Sequence, residues 1–343
     1  MKREDALARV VANTVKACVP FVVHLELTGR CNLNCRHCYL GRSRYRELRS
    51  SQWDRVFEKL KGLGCLFAAV SGGEVFLRKD LFEILEALRA RGLALRVLSN
   101  GTLIGPSEAK SLARLSPASV EISLLGGRAK THDSISRSEG SFDRASKAIE
   151  LLLSEGVRTI VKLPVMRANW REFESIEAFA QRLGAKLRYD ICIAPRCDGD
   201  RSPLEERLDP KELRSFLLSR LADTAPDYLL DVPSDAPPCG AGHNAFSIAP
   251  DGVVHPCTAL RLPLGNILSD GWEKIVQSPE LLKLRKLRVG DLQECSQCPY
   301  LPLCGRCPGV ALIETGSFDG PSPSACRLGR ELYSICYGKV PGK

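Results

Sequence analysis

No stretch of the 343 residues approaches the ~18 consecutive apolar residues that a membrane-spanning helix needs. The first segment, MKREDALARVVANTVKACVPF, alternates charged and apolar residues and lacks the continuous apolar core and small-residue cleavage site of a secretory signal. Aromatic residues are scarce, at 6%, and they are not interleaved with the basic ones as a base-stacking surface would require. No nucleic-acid-binding module is recognisable. Membrane and nucleic acid are therefore not expected among the partners. What remains is a chain with 44% apolar and 26% charged residues, long enough for one large domain and a small one.

Cysteine is the abundance that stands out. There are fifteen, an odd number, gathered in short C-x2-C clusters. That grouping favours an intracellular metalloprotein in a reducing cytoplasm over a secreted disulfide scaffold. The net charge is +9, and Arg36, Arg42, Arg44, Arg46 and Arg49 follow one another closely. They read either as a landing strip for an acidic peptide or as a solvated loop.

The hydrophobic pattern alternates between strand and helix. After a lead-in helix over residues 4–18, strands are expected at 21–27, 65–70, 94–98, 119–124, 159–165 and 187–193. Helices are expected at 51–63, 79–91, 107–115, 142–155 and 170–183. Such βα units with short loops and right-handed crossovers predict an α/β fold, a partial (β/α)6 barrel of the TIM type. Functional residues then belong at the C-terminal ends of the strands.

Cys31-Asn-Leu-Asn-Cys35-Arg-His-Cys38-Tyr39 follows the first strand. Three thiols in eight residues suit one metal centre. Three ligands and an open position mark a catalytic zinc, and three thiolates leave one iron free in a four-iron cluster. After the second strand comes Ser71-Gly72-Gly73-Glu74. Its glycines permit close backbone approach, and its carboxylate can accept from an ammonium group. Ser99-Asn100-Gly-Thr102 follows the third strand, and Ser123 closes the fourth.

C-x3-C-x2-C in this setting resembles the signature of the radical S-adenosylmethionine (AdoMet) enzymes. The resemblance implies that Cys31, Cys35 and Cys38 hold a [4Fe–4S] cluster whose open iron takes the amino and carboxylate groups of AdoMet. An electron then cleaves the sulfonium to a 5′-deoxyadenosyl radical. By the same resemblance Gly72, Gly73 and Glu74 bind the methionine amino group, and Asn100 and Ser123 reach the ribose or carboxylate. His37 and Tyr39 of the loop join that cofactor-binding set. Two departures stand out: Leu125 replaces a usual Asp, and His132-Asp-Ser-Ile-Ser136-Arg137 shifts an arginine by one.

A second cysteine field lies beyond the Pro-rich segment 233–238: Cys239, Cys257, Cys295, Cys298, Cys304, Cys307, Cys326 and Cys336. A zinc ribbon is the simpler candidate, but five residues between the C-x2-C pairs is short where ~15–20 is usual. The pattern instead resembles the SPASM domain, which carries one or two auxiliary [4Fe–4S] clusters. That implies one cluster on Cys295, Cys298, Cys304 and Cys326. Cys239, Cys257 and Cys307 would supply three ligands to another. A further cysteine common in the family falls at position 233, which is Pro. The fourth place is then an open iron or is filled by Cys192, Cys197 or Cys336. Cys18 and Cys65 read as small inert hydrophobes.

The expected organisation is a lead-in helix (1–21), a partial barrel (22–197), a bridging helix and linker (198–234), and a small Cys-rich α+β domain (235–343). No catalytic residue is assigned beyond the cluster. The resemblance implies an enzyme acting on a peptide or protein, foremost a ribosomally made peptide crosslinked by a thioether or C–C bond. The partners would be a flavodoxin- or ferredoxin-type electron donor and, with about twenty residues before the first strand, a separate leader-peptide recognition protein. The runner-up is oxidation or decarboxylation of tetrapyrrole side chains. Formylglycine-type sulfatase maturation is disfavoured by Thr258, where relatives carry Asp. A non-enzymatic iron–sulfur or zinc protein would leave Gly72–Glu74 without purpose.

Overall fold

The computed structural model describes residues 3–41, 45–221 and 233–338. Arg42 and Arg44 of the basic run, and Ala222 at the end of the expected bridging helix, lie outside them.

Helix α1 (Arg3–Ala17) leads into β1 (Val22–Thr28). Then come α2 (Ser50–Gly62), β2 (Phe67–Gly72), α3 (Leu81–Ala90), β3 (Ala94–Ser99), α4 (Pro106–Leu115) and β4 (Ser119–Ser123). Two helices follow, α5 (Ala129–Ser136) and α6 (Ser141–Ser154), before β5 (Thr159–Pro164), α7 (Phe173–Arg182) and β6 (Lys186–Asp190). The apolar stripe at helical spacing on α3, Leu81, Ile84, Leu85 and Leu88, is buried, as are Trp53, Phe57 and Leu60 of α2.

The six strands pair in parallel in chain order, which makes the α/β partial barrel. Each strand splits its residues by the two-residue period. Val23, Leu25 and Leu27 of β1 join the buried core, and so do Val120 and Ile122 of β4. Among the alternate residues, polar ones meet those of nearby strands. His24 contacts Ser71, and Glu121 pairs with Arg96, with Lys162 at 3.8 Å and with Arg188 at 3.5 Å. Charged side chains of β3, β4, β5 and β6 thus meet around Glu121.

Beyond the bridge, α8 (Pro210–Leu221) precedes β7 (Ala245–Ile248), β8 (Val253–His255) and β9 (Gly265–Asn266). Strand β7 pairs in parallel with β1, so the barrel sheet runs on into the Cys-rich region in the order β6-β5-β4-β3-β2-β1-β7-β8-β9. Asp251-Gly252 makes the β7–β8 turn, with Gly252 at φ +88°. Five helices complete the chain: α9 (Trp272–Val276), α10 (Pro279–Lys286), α11 (Leu301–Cys304), α12 (Pro308–Thr315) and α13 (Pro323–Tyr337).

A buried ion pair reinforces this join. Arg261, from the segment after Cys257, reaches Glu26 of β1, whose carboxylate is 2% exposed and also accepts from the Tyr39 hydroxyl at 3.2 Å. Removing one partner of such a pair strands the other charge. Arg261→Met is expected to lower stability by about 3–5 kcal/mol, and adding Glu26→Gln should recover much of it. Urea midpoints of the two variants check this; equal losses in single and double variants would show that the pair is not coupled.

Candidate functional site

The C-terminal ends of β1–β4 surround a cavity of about 370 Å³. The loop after β1 brings Cys31, Cys35, Cys38, His37 and Tyr39 to it. Gly72 and Gly73 come from the end of β2, Asn100 from the end of β3 and Ser123 from β4. His24 lines it from within the lumen.

The glycines matter first for the protein itself. A Cβ on Gly73 would lie 2.1 Å from the Arg30 carbonyl, and one on Gly72, at φ +148°, would lie 2.3 Å from the Thr28 carbonyl. Their absence lets the end of β2 lie directly on the start of the cysteine loop, where Gly73 N–H donates to Thr28 O at 2.8 Å and Glu74 N–H to Arg30 O at 2.8 Å. Helix α5, absent from the sequence-based expectation, holds the other side: Ser136 O and Ile135 O accept from the N–H groups of Asn34 and Arg36. Its His132 also lines the cavity, with Nδ1 accepting from Leu125 N–H at 3.1 Å.

Glu74 lies just beneath these glycines. It does not appear in the cavity wall, and its carboxylate is 1% exposed. Its oxygens accept from Ser99 Oγ at 2.9 and 3.0 Å, Asn100 N–H at 2.8 Å and Phe76 N–H at 3.1 Å. Burial raises its pKa against those donors. These bonds tie the carboxylate to the end of β3. Asn100 in turn donates from Nδ2 to Asn32 Oδ1 and accepts at Oδ1 from Thr102. Asn32 and Thr102 thus bind the third strand end to the cysteine loop. Sequence reading missed both, since polar turn residues carry no signal without their partner.

The donor set fits a cationic multi-metal group. All fifteen cysteines are free thiols. Burial and the neighbouring Cys38 and Cys31 push Cys35 up to about 12, and burial raises Cys31 and Cys38 as well. Three thiolates so crowded need a positive centre. His37 Nδ1 is buried without a hydrogen-bond partner among the described residues, and burial lowers the ring's pKa to about 4, so a neutral imidazole faces the cavity. Among the described residues no three ligand side chains close on one point as those of a single ion do. All three thiols line the same cavity, as ligands of a cluster seated there would.

The second field is sorted by the fold into two groups. Cys295, Cys298, Cys304 and Cys326 line one small cavity. There burial, then Cys326, Cys295 and Cys298, push Cys304 up to about 11. Burial raises Cys257 to about 11, with Cys307 and Cys239 adding to it. A Cβ on Gly309 would lie 2.5 Å from the Ala259 carbonyl, so this glycine lets the start of α12, beside Cys307, rest on the loop after Cys257. Cys65 is buried and Cys18 half-buried, away from both groups of ligand candidates.

The model of the radical SAM superfamily matches residues 25–180, and that of the SPASM iron–sulfur cluster-binding domain matches 239–308. The chain is 30% identical over 302 residues to the antilisterial bacteriocin subtilosin biosynthesis protein AlbA of Bacillus subtilis, covering 84% of this chain and 67% of that one. It is 30% identical over 331 residues to the mycofactocin maturase MftC of Mycolicibacterium smegmatis (89% and 82%). It is 27% identical over 341 residues to the AdoMet-dependent heme synthase of Methanosarcina barkeri (89% and 95%). Among solved structures, Streptococcus suis SuiB bound to precursor peptide SuiA shares the fold at TM-score 0.72 and 18% identity, covering 94% of this chain and 80% of that one.

Two outcomes are expected. Glu74→Ala should weaken AdoMet binding roughly tenfold, through loss of about 1.4 kcal/mol of positioning, with cluster content retained. Calorimetric titration reads this, and an unchanged affinity would remove the positioning role. The second concerns pH. Burial lowers His24, His37 and His132 from 6.5 to about 4, so each stays neutral in the fold where the unfolded chain takes up a proton. Their contribution is present above pH 6.5 and is lost as pH falls toward about 4. Urea midpoints should therefore decline over that window, and His24→Asn should flatten the decline.

Proposed function

This chain belongs to the radical SAM superfamily and carries a SPASM iron–sulfur cluster-binding domain, and from that premise we propose that it is a maturase of a ribosomally made peptide, forming a thioether or carbon–carbon crosslink. When bound, the [4Fe–4S] cluster supplies the electron that cleaves AdoMet to a hydrogen-abstracting radical, and auxiliary clusters accept the electron left by bond formation.

The observation that carries the reading is the meeting of Cys31, Cys35 and Cys38 with the Gly72–Gly73 backbone at one cavity that opens into the lumen. In it the three thiolates would hold the cluster. Gly72, Gly73, Asn100, Ser123, His37 and Tyr39 would form the cradle for AdoMet, with Glu74 fixing the β3 end beneath it. Cys295, Cys298, Cys304 and Cys326 would hold one auxiliary cluster, and Cys239, Cys257 and Cys307 would contribute to the other. A peptide substrate is supported by relatives named for subtilosin biosynthesis, mycofactocin maturation and sporulation killing factor maturation. A flavodoxin- or ferredoxin-type donor would supply the electron. The free thiols agree with a reducing cytoplasm. No helix among the described residues is long and apolar enough to cross a membrane.

A second reading has its own observation. Arg96, Lys162 and Arg188 face one carboxylate, Glu121, so the lumen carries surplus positive charge. Tetrapyrrole side-chain carboxylates would suit it, and AdoMet-dependent heme synthases are among the relatives. A peptide carboxylate would suit it equally.

The test measures iron and 5′-deoxyadenosine after anaerobic reconstitution. About 12 iron per chain are expected, falling to about 8 in Cys31/Cys35/Cys38→Ala, and Cys35→Ala should abolish AdoMet cleavage. Turnover of peptides encoded beside the gene, with the mass loss of a crosslink, supports the first reading. Turnover of a heme precursor instead supports the second, and persistent cleavage in Cys35→Ala would refute both.

A further inference from the structure

Three thiols, Cys239, Cys257 and Cys307, leave one iron of an auxiliary [4Fe–4S] cluster without a protein ligand. Three other cysteines could in principle supply it, and the fold separates them. Cys197 is committed to the first site: its Sγ accepts from Gly41 N–H at 3.0 Å, its own N–H donates to Tyr39 O, and it lies in the field of Cys38. Cys336 lies near the end of α13, on the helix whose Cys326 already belongs to the other group. Cys192 is different. It stands two residues beyond the last residue of β6, on the barrel, and it shares a cavity of about 80 Å³ with Cys307.

Resting on the cluster reading above, we propose that Cys192 is the fourth ligand of the auxiliary cluster held by Cys239, Cys257 and Cys307. The backbone on both sides of this exposed residue is fixed. Its N–H donates to Asp190 Oδ1 at 2.8 Å, and Arg207 Nε donates to the carbonyl of Ile193 at 2.8 Å. The charged and titratable groups around it are Asp190, Arg207, Cys307 and Glu314, and Cys307 is the thiol among them. Cys307 is also the thiol that both Cys239 and Cys257 feel, so three segments of chain converge on it. Cys304 lines the same cavity but faces Cys326, Cys295 and Cys298.

Arg207 completes the setting. Its Nη1 pairs with Glu314 at 2.6 Å, while its Nη2 is buried with no partner among the described residues. A guanidinium beside cluster thiolates stabilises their negative charge. Ligation replaces the Cys192 thiol proton, which leaves to solvent, with no change of oxidation state. Cys192 comes from the barrel and the other three from the Cys-rich region, so the cluster would staple the two halves at the exit of β6.

The experiment uses the full chain with Cys31/Cys35/Cys38→Ala, reconstituted anaerobically, so that the spectrum contains auxiliary clusters alone. Cys192→Ala, Cys192→Ser, Cys197→Ala and Cys336→Ala are each added. Reduced samples are read by electron paramagnetic resonance with and without cyanide, a small ligand that binds an unclaimed iron. The parent should hold about 8 iron and ignore cyanide. Both Cys192 variants should shift one cluster's signal and make it respond to cyanide, with circular dichroism unchanged, while the Cys197 and Cys336 variants match the parent. Unchanged spectra in both Cys192 variants, or a cyanide response in the parent, overturn the assignment. A parent without auxiliary iron would instead overturn the cluster reading itself.

Discussion

Strand β1 is the constraint on which the other parts depend. It is hydrogen-bonded on both sides, to β2 and to β7, so a single strand is shared by the barrel and the Cys-rich region. Its end becomes the cysteine loop, and that loop cannot drift because its carbonyls at Thr28 and Arg30 are capped by Gly73 and Glu74 N–H groups. Arg78 adds a buried guanidinium that donates to Leu27 O and Leu48 O. The position of three thiols is thereby set by backbone hydrogen bonds rather than by the flexible side chains of a surface loop.

Three of the buried carboxylates are each held in a different way. Glu26 is neutralised by Arg261 and ties the C-terminal region to the barrel. Glu74 is satisfied by neutral donors and orients the β3 end. Glu121 is surrounded by more cations than it can neutralise, which leaves the lumen positive below the cavity. The crowded thiols at the strand ends thus stand over a basic lumen.

The cysteine-rich region shows how little a spacing rule says about geometry. Cys304 and Cys307 are three residues apart and share one cavity, yet Cys304 alone of the two also lines the cavity of Cys295, Cys298 and Cys326. The left-handed Gly305, at φ +58°, ends α11 between them, and Arg306 donates to Phe318 O and Gly320 O. A turn of two residues redirects the chain enough for one thiol to meet α13 and the other to meet the loop after Cys257.

The sequence by itself determined the alternation of β and α elements, because burying a 3.6-residue stripe on a parallel sheet imposes a periodicity that any window of the chain displays. It also determined the three-thiol loop and the Gly72–Gly73 turn, which are local in the chain and lie at strand ends. Helix α5 escaped because its eight residues carry too little apolar periodicity, and its function is to hold the loop through Ile135 O and Ser136 O. The pairing of β7 with β1, the Glu26–Arg261 tie and the meeting of Cys192 with Cys307 join positions more than a hundred residues apart. Only tertiary structure decided these, since a contact between distant residues is settled by how packed layers meet and leaves no period or motif in either segment.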